Sequence, residues 1–307
     1  MRIIVIGAGG TGGYFGGLLA RAGEDVTFLA RRTQLEAFRT HGLTVKSRLA
    51  GTFTLPVHAT SDPQEIGAVD LVLFCVKTYD TKAASAGIGH FIGPETVVLP
   101  IQNGIDAAER LGREVGAQHI IGGVAYVTSQ IESPGVIAQI AGAGSIELGE
   151  LAGGQSERTR HVQQVLRHAG ISAELPPDIR VTLWEKFLFI CAFSGVTALT
   201  RLPLGQVFAY QETSDLLTAV MKEGEALARV CGIALPGDIV ERSYATLQVL
   251  EPEAMGSMAF DLLAGRRLEI EALNGMMVHL GQEHGMSLPF NSAIYAALRP
   301  YANGALR

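Results

Sequence analysis

The sequence predicts an α/β chain in two parts: an open parallel sheet flanked by helices, then a stretch of helices alone. Three observations carry this expectation. Short β-branched apolar runs alternate with helical patterns through the first half, as in sheets buried on both faces. A glycine-rich turn joins the first of these runs directly to a helix. Beyond Pro176-Pro177-Asp178 only helical patterns follow, which sets the expected parts at residues 1–177 and 178–307.

Ile3, Ile4, Val5 and Ile6 form the first strand, and Gly7-Ala8-Gly9-Gly10-Thr11-Gly12 follows with no gap, fitting G-x-G-x-x-G. Tyr14, Phe15, Leu18 and Leu19 then recur at helical spacing up to Gly23, and residues 26–29 make a second strand. In this strand–turn–helix–strand context the motif reads as the dinucleotide site of a Rossmann-like domain. Gly7 allows the tight turn, Gly9 lets the backbone approach a pyrophosphate, and Gly12 lets the helix pack close to the strand. The helix start at Gly10 and Thr11 offers unpaired N–H groups and a partial positive charge to phosphates.

An NAD site usually carries Asp or Glu after the second strand, to accept from the ribose 2′-hydroxyl. Here Ala30-Arg31-Arg32 stands in that place, with Arg31 nineteen positions beyond Gly12. A guanidinium suits a 2′-phosphate, so the sequence favours NADPH over NADH. The competing reading is that both arginines are solvated loop residues.

Composition narrows the classes. A chain of 307 residues is long enough for two cores, and 48% hydrophobic residues exclude wholesale disorder. The net charge is −6 with no basic cluster beyond Arg31-Arg32, so no nucleic acid partner is expected. The apolar N-terminus is not read as a signal peptide, because removing it would destroy the glycine turn. No apolar segment reaches membrane-spanning length without polar residues or glycine, so no membrane partner is expected. Cys75, Cys191 and Cys231 are odd in number, widely spaced and in apolar contexts. They read as buried thiols of a reducing, cytoplasmic compartment, and no metal set is expected.

Residues 33–42 read as a helix, and residues 43–45 and 52–57 as an irregular hairpin around Gly51. Residues 70–76 and 96–100 are buried strands, ending at Lys77 and at Gln102-Asn103-Gly104. Ligands of an open parallel sheet lie beyond the carboxyl ends of its strands, the edge from which Gly9, Arg31, Lys77 and Asn103 would project. Lys77 reads as a phosphate or ribose contact, or as a strand end in water. Asn103 reads as a nicotinamide contact or as a turn residue before glycine. Short strands between glycines over residues 119–149 are expected to extend the sheet in antiparallel fashion. A helix at 156–168 and a strand at 171–175 close the first part.

A helix over residues 178–199 opens the second part, with Asp178 able to cap it. Its stretch 187–193 carries no charge and is expected to be buried all round. Lys186 stands at the edge of that stretch and shares a stripe with Ile190 and Ser194. Hydride addition to a ketone builds negative charge on oxygen, which a lysine beside apolar walls can meet with a proton. Taken alone, though, Lys186 reads more readily as a flanking solvated charge. Helices are expected at 214–231, 238–250 and 291–301, with one or two more over 253–285, bent near Gly265. Ser257, Asp261, Gly265 and Glu269 form an i+4 row. Glu269 lies in the charged run Arg266-Arg267-Leu268-Glu269-Ile270-Glu271, which by itself suggests a solvated acid. No GxSxG, Walker, HExxH or paired-cysteine pattern occurs.

These residues together resemble the ketopantoate reductases (2-dehydropantoate 2-reductases) over nearly the whole chain. Gly7–Gly12, Arg31, Val76-Lys77, Gln102-Asn103-Gly104, Trp184-Glu185-Lys186, Ser257-Met258 and Glu269-Ile270-Glu271 with Asn274-Gly275 fall in family order. The resemblance implies a Rossmann-like domain followed by an all-helical domain like that of 6-phosphogluconate dehydrogenase, with catalysis in the cleft between them. It implies reduction of a small-molecule 2-oxo acid, by default ketopantoate, with NADPH. A homodimer is one assembly it allows. Lys186 would be the general acid and Glu269 the carboxylate that holds the substrate hydroxyl and the lysine. Asn103 would position nicotinamide and lysine, Ser257 the substrate carboxylate, and Arg31 and Lys77 the cofactor. Ile190 and Ser194 stand where the family usually carries asparagines that grip the pantoate hydroxyls. An Ile neither donates nor accepts, so a bulkier or less hydroxylated 2-oxo acid is the alternative substrate. A non-catalytic NADPH-sensing module is a further alternative, which has no need of Lys186 and Glu269.

Overall fold

The structure is a computed structural model and describes residues 1–305. The chain forms two compact units, Met1–Gln102 with Asp106–Thr182, and Asn103–Ile105 with Leu183–Arg307.

In the first unit β1 (Arg2–Ile6), α1 (Gly10–Arg21), β2 (Asp25–Leu29) and α2 (Arg32–His41) follow one another, then β3 (Leu43–Ser47), β4 (Gly51–Leu55) and β5 (His58–Thr60). After them come β6 (Val69–Phe74), α3 (Thr81–Ser85), β7 (Ile92–Pro100) and α4 (Ala107–Val115). A hairpin of β8 (Gly122–Ser133) and β9 (Val136–Gly149), then α5 (Glu157–His168) and β10 (Ser172–Glu174), complete it. One sheet has the order β5-β2-β1-β6-β7, all parallel. Its apolar runs are continuous because both faces are covered. Ile3, Val5, Leu71 and Leu73 belong to one core, and Ile4, Ile6, Val72 and Phe74 to another.

The hairpin region departs from expectation. Its short segments are two long strands, paired from Gly122↔Gly149 to Ser133↔Val136. They build a second sheet, β10-β9-β3-β4 with β8 beside β9, instead of extending the first. Gly135 (φ +81) makes the turn, and Gly142 (φ +85) and Gly144 (φ +64) sit at the irregular pairing, so these glycines bend continuous strands and do not end them. Residues 56–57 are not strand, and β5 returns to the first sheet beside β2.

Helix α1 lies between the two sheets, and its glycines explain how. A Cβ at Gly16 would meet Phe28 and Val5 at 2.6 and 2.8 Å, on the first sheet. A Cβ at Gly13 or Gly17 would meet Ile137 at 2.6 Å or Val45 at 2.8 Å, on the second. Glycines at i and i+1, repeated after four residues, give one helix two close-packing faces.

The second unit holds most of α6 (Ile179–Thr200), then α7 (Leu204–Ala209), α8 (Gln211–Val230), α9 (Ile239–Gln248), α10 (Ser257–Leu263), α11 (Asn274–Glu283) and α12 (Pro289–Leu298). The backbone N–H of Arg180 donates to Asp178 Oδ1 at 2.9 Å, the expected cap. Among the described residues α6 alone is long and apolar enough to cross a membrane, yet 61% of its apolar window is buried inside the fold. It is a core helix by that measure. The row from Ser257 to Glu269 is not a helix face, because α10 stops at Leu263 and Glu269 precedes a 3-10 turn at Ile270–Ala272.

Candidate active site

In the first unit, Gly7 follows β1 with φ +100, and a Cβ there would lie 2.6 Å from the backbone N of Val76, just beyond β6. A Cβ at Gly12 would lie 2.2 Å from the Gly7 carbonyl. Both glycines are demanded by protein atoms at the point where strand order reverses around β1. Gly9 differs: a Cβ there would meet no protein atom within 4 Å. It caps α1 without a side-chain hydrogen bond, so the N–H groups of the first turn (Gly10, Thr11, Gly12) have no side-chain acceptor from the cap. Open space over Gly9, facing a helix N-terminus, suits a diphosphate.

Arg31 follows β2 in extended conformation, and it and Arg32 are both exposed, with Arg32 at φ +51. No acid stands beside them at the end of β2. Lys77 is half-buried ahead of a 3-10 turn beyond β6. Gln102, read in the sequence only as part of a strand end and motif, has a structural role there: its Nε2 donates to the Val76 carbonyl at 2.7 Å and to Thr81 Oγ1 at 2.9 Å. It ties the ends of β6 and β7 together, a role that its place at a strand end does not by itself reveal. These features fit a nicotinamide dinucleotide.

The remaining candidates lie in the second unit, Asn103 among them. Glu269 is 5% exposed despite its charged sequence neighbours. Asn103 Nδ2 donates to Glu269 Oε2 at 3.4 Å. Burial lowers the Lys186 pKa from its ordinary 10.5 to about 8, and the charge of Glu269 opposes that shift. The structure therefore groups Asn103, Lys186 and Glu269; it overturns the solvated reading of Glu269, and it leaves Lys186 half-buried and charge-coupled to that carboxylate.

The expectation from composition, that the apolar stretch of α6 is enclosed all round, is corrected by the structure. Phe187, Leu188, Cys191 and Ala192 are buried, whereas Lys186, Phe189, Ile190 and Phe193 are only partly so. Those four recur at i, i+3, i+4 and i+7, one open face of the helix. Ser194 is 1% exposed and its Oγ has no partner. Gly256 covers it, since a Cβ there would lie 2.4 Å from both Ser194 Cα and Oγ. The Gly256 N–H donates to Thr197 Oγ1 at 3.1 Å, which fixes the start of α10 on α6. Ser257 is the first, exposed residue of α10. The three cysteines are free, with the Cys75 and Cys191 thiols pushed well up by burial.

A diphosphate cradle in one unit and, in the other, a half-buried lysine charge-coupled to a buried carboxylate are the parts of a nicotinamide-dependent oxidoreductase. Comparison with known proteins agrees. The family description "Ketopantoate reductase PanE/ApbA" matches residues 3–153 and its C-terminal counterpart residues 178–302. A 2-dehydropantoate 2-reductase of Archaeoglobus fulgidus is 31% identical, covering 99% of this chain and 98% of its own. The crystal structure of a 2-dehydropantoate 2-reductase from Geobacter metallireducens superposes with a TM-score of 0.92 at 34% identity, over 97% of this chain and 99% of the other. A D-mandelate dehydrogenase shares the fold at 21% identity, with a TM-score of 0.89 over 98% of each chain. The chain belongs to the ketopantoate reductase family and is an oxidoreductase acting on CH–OH groups.

Proposed function

We propose that the chain reduces 2-dehydropantoate (ketopantoate) to pantoate with NADPH, in pantothenate and coenzyme A biosynthesis. The observation that carries this reading is the buried Glu269, hydrogen-bonded by Asn103 and charge-coupled to Lys186. NADPH, held by the residues named below, would supply the hydride. Lys186, with a pKa near 8, carries a proton at neutral pH and gives it to the oxygen as negative charge develops there. Glu269 holds the lysine and the emerging hydroxyl, and Asn103 fixes the carboxylate. Ser257 contacts the substrate carboxylate. Gly7, Gly9, Gly10, Thr11 and Gly12 hold the diphosphate, Arg31 the 2′-phosphate, and Lys77 a phosphate or ribose. The reading extends to a cytoplasmic homodimer.

One observation favours a second reading, a hydroxyacid dehydrogenase for a different 2-oxo acid. Phe189, Ile190 and Phe193 share the open face of α6 with Lys186, and the Ser194 hydroxyl is covered by Gly256. NADPH oxidation with ketopantoate, run beside unhydroxylated 2-oxo acids, decides. Preference for ketopantoate supports the first reading and preference for an unhydroxylated acid the second. Tight NADPH binding without turnover on any of them refutes both.

A further inference from the structure

Glu223, Asn291 and Asn274 form a polar chain inside the helical unit that leads to the helix carrying Lys186. Asn274 and Asn291 are both 0% exposed. Glu223 of α8 accepts from the Phe290 N–H at 2.9 Å, and from the N–H and Nδ2 of Asn291 at 2.9 and 2.8 Å, so it caps α12. Asn291 Oδ1 then accepts from Asn274 Nδ2 at 2.9 Å. Asn274 Nδ2 also donates to the Cys191 carbonyl of α6 at 3.2 Å. Each NH₂ faces only acceptors, because Asn291 Nδ2 also meets the Val220 carbonyl at 3.4 Å, so neither amide can flip without losing bonds.

The spacing gives this chain of bonds its meaning. Cys191 is five residues beyond Lys186 and Asn274 five beyond Glu269. One amide therefore joins the helix bearing the lysine to the segment bearing the carboxylate. Gly195 makes room for it, since a Cβ there would lie 2.9 Å from Asn274 Oδ1 and 3.0 Å from Nδ2. A buried network is retained at an energetic cost unless fully bonded, and Asn274 Oδ1 has no hydrogen-bond partner.

We propose that Asn274 is a positioning residue, whose amide, braced by Asn291 and Glu223, sets α6 against the Glu269 segment and so fixes Lys186 relative to Glu269. The inference rests on the roles given to Lys186 and Glu269 above. A misplacement of about 1 Å at such a site costs roughly 100-fold in rate. The test compares Asn274→Ala, Gly195→Ala and Lys186→Ala with the unaltered protein, reading kcat and KM on its best 2-oxo acid, NADPH affinity and thermal midpoint. Asn274→Ala is expected to lose about tenfold or more in kcat with NADPH affinity unchanged. Gly195→Ala removes no hydrogen-bonding group and raises helix propensity, yet its Cβ displaces the Asn274 amide, and it is expected to lose kcat as well. Should Asn274→Ala fail to fold, Gly195→Ala alone decides. Wild-type kcat in either folded variant, whatever its thermal midpoint, overturns the proposal. Turnover retained by Lys186→Ala overturns the underlying site assignment instead.

Discussion

Asn103 Nδ2 donates to Glu269 Oε2 at 3.4 Å across 166 residues of sequence. Asn103 follows the last strand of the parallel sheet by sequence, yet belongs with the helical unit. The bond explains how a carboxylate with a charged sequence neighbourhood comes to be buried: one oxygen has a donor, and its charge has Lys186.

Glu269→Gln keeps the size and removes the charge. Glu269 raises the Lys186 pKa against the lowering effect of burial, so the variant's lysine titrates below about 8. The proton donor is the charged form, present below its pKa and lost above it. The alkaline limb of kcat, expected near pH 8 in the unaltered protein, moves to lower pH in the variant. A pH profile that does not move would show that the two groups are uncoupled.

Gly9 and Gly10 are adjacent, and their substitutions are expected to fail differently. A Cβ at Gly9 meets nothing, whereas one at Gly10 would lie 2.2 Å from the Ser129 carbonyl. Gly9→Ala is therefore expected to keep the thermal midpoint and lose NADPH affinity. Gly10→Ala is expected to lose stability too, by about 1–3 kcal/mol as overpacking usually costs. Thermal melts and NADPH titration of both proteins check this.

Arg31→Ala removes a guanidinium from an exposed position after β2. A charge-assisted hydrogen bond contributes about 1.5–3 kcal/mol, so NADPH binding should weaken by roughly 10- to 150-fold while NADH binding holds. Equal losses for the two cofactors would remove Arg31 from the 2′-phosphate site.

The parts legible in the sequence are those where neighbouring residues carry the signal. The turn Gly7–Gly12 and its strand could be read because sheet and helix meet within a dozen residues. The long helix bearing Lys186 could be read from its apolar run and its cap. The hairpin of β8 and β9 could not, because Gly135, Gly142 and Gly144 look alike in sequence although one turns the chain and two bend it. Glu269 failed for a different reason: its burial depends on Asn103 and Lys186, neither of them near it in sequence. The two faces of α1 depend likewise on Phe28, Val45 and Ile137, contributed by three different strands.

Substitution at Ile190 tests the proposed substrate most directly. Ile190 stands one turn beyond Lys186 on the open face of α6, between Phe189 and Phe193 along that face. If Lys186 is the proton donor proposed above, a 2-oxo acid bound there would turn its substituent toward this face. A hydroxyl there finds no partner at Ile190, and a desolvated hydroxyl without one costs about 1–3 kcal/mol. Ser194, a turn further, offers little while Gly256 covers it. Ile190→Asn supplies a donor and an acceptor and removes apolar surface. It is expected to raise kcat/KM for ketopantoate relative to an unhydroxylated branched 2-oxo acid by roughly 5- to 150-fold, the rate equivalent of that energy. The ratio of the two kcat/KM values, before and after substitution, is the measurement. A ratio that does not change means that the substrate's substituent lies away from α6, and that its hydroxyl is recognised elsewhere.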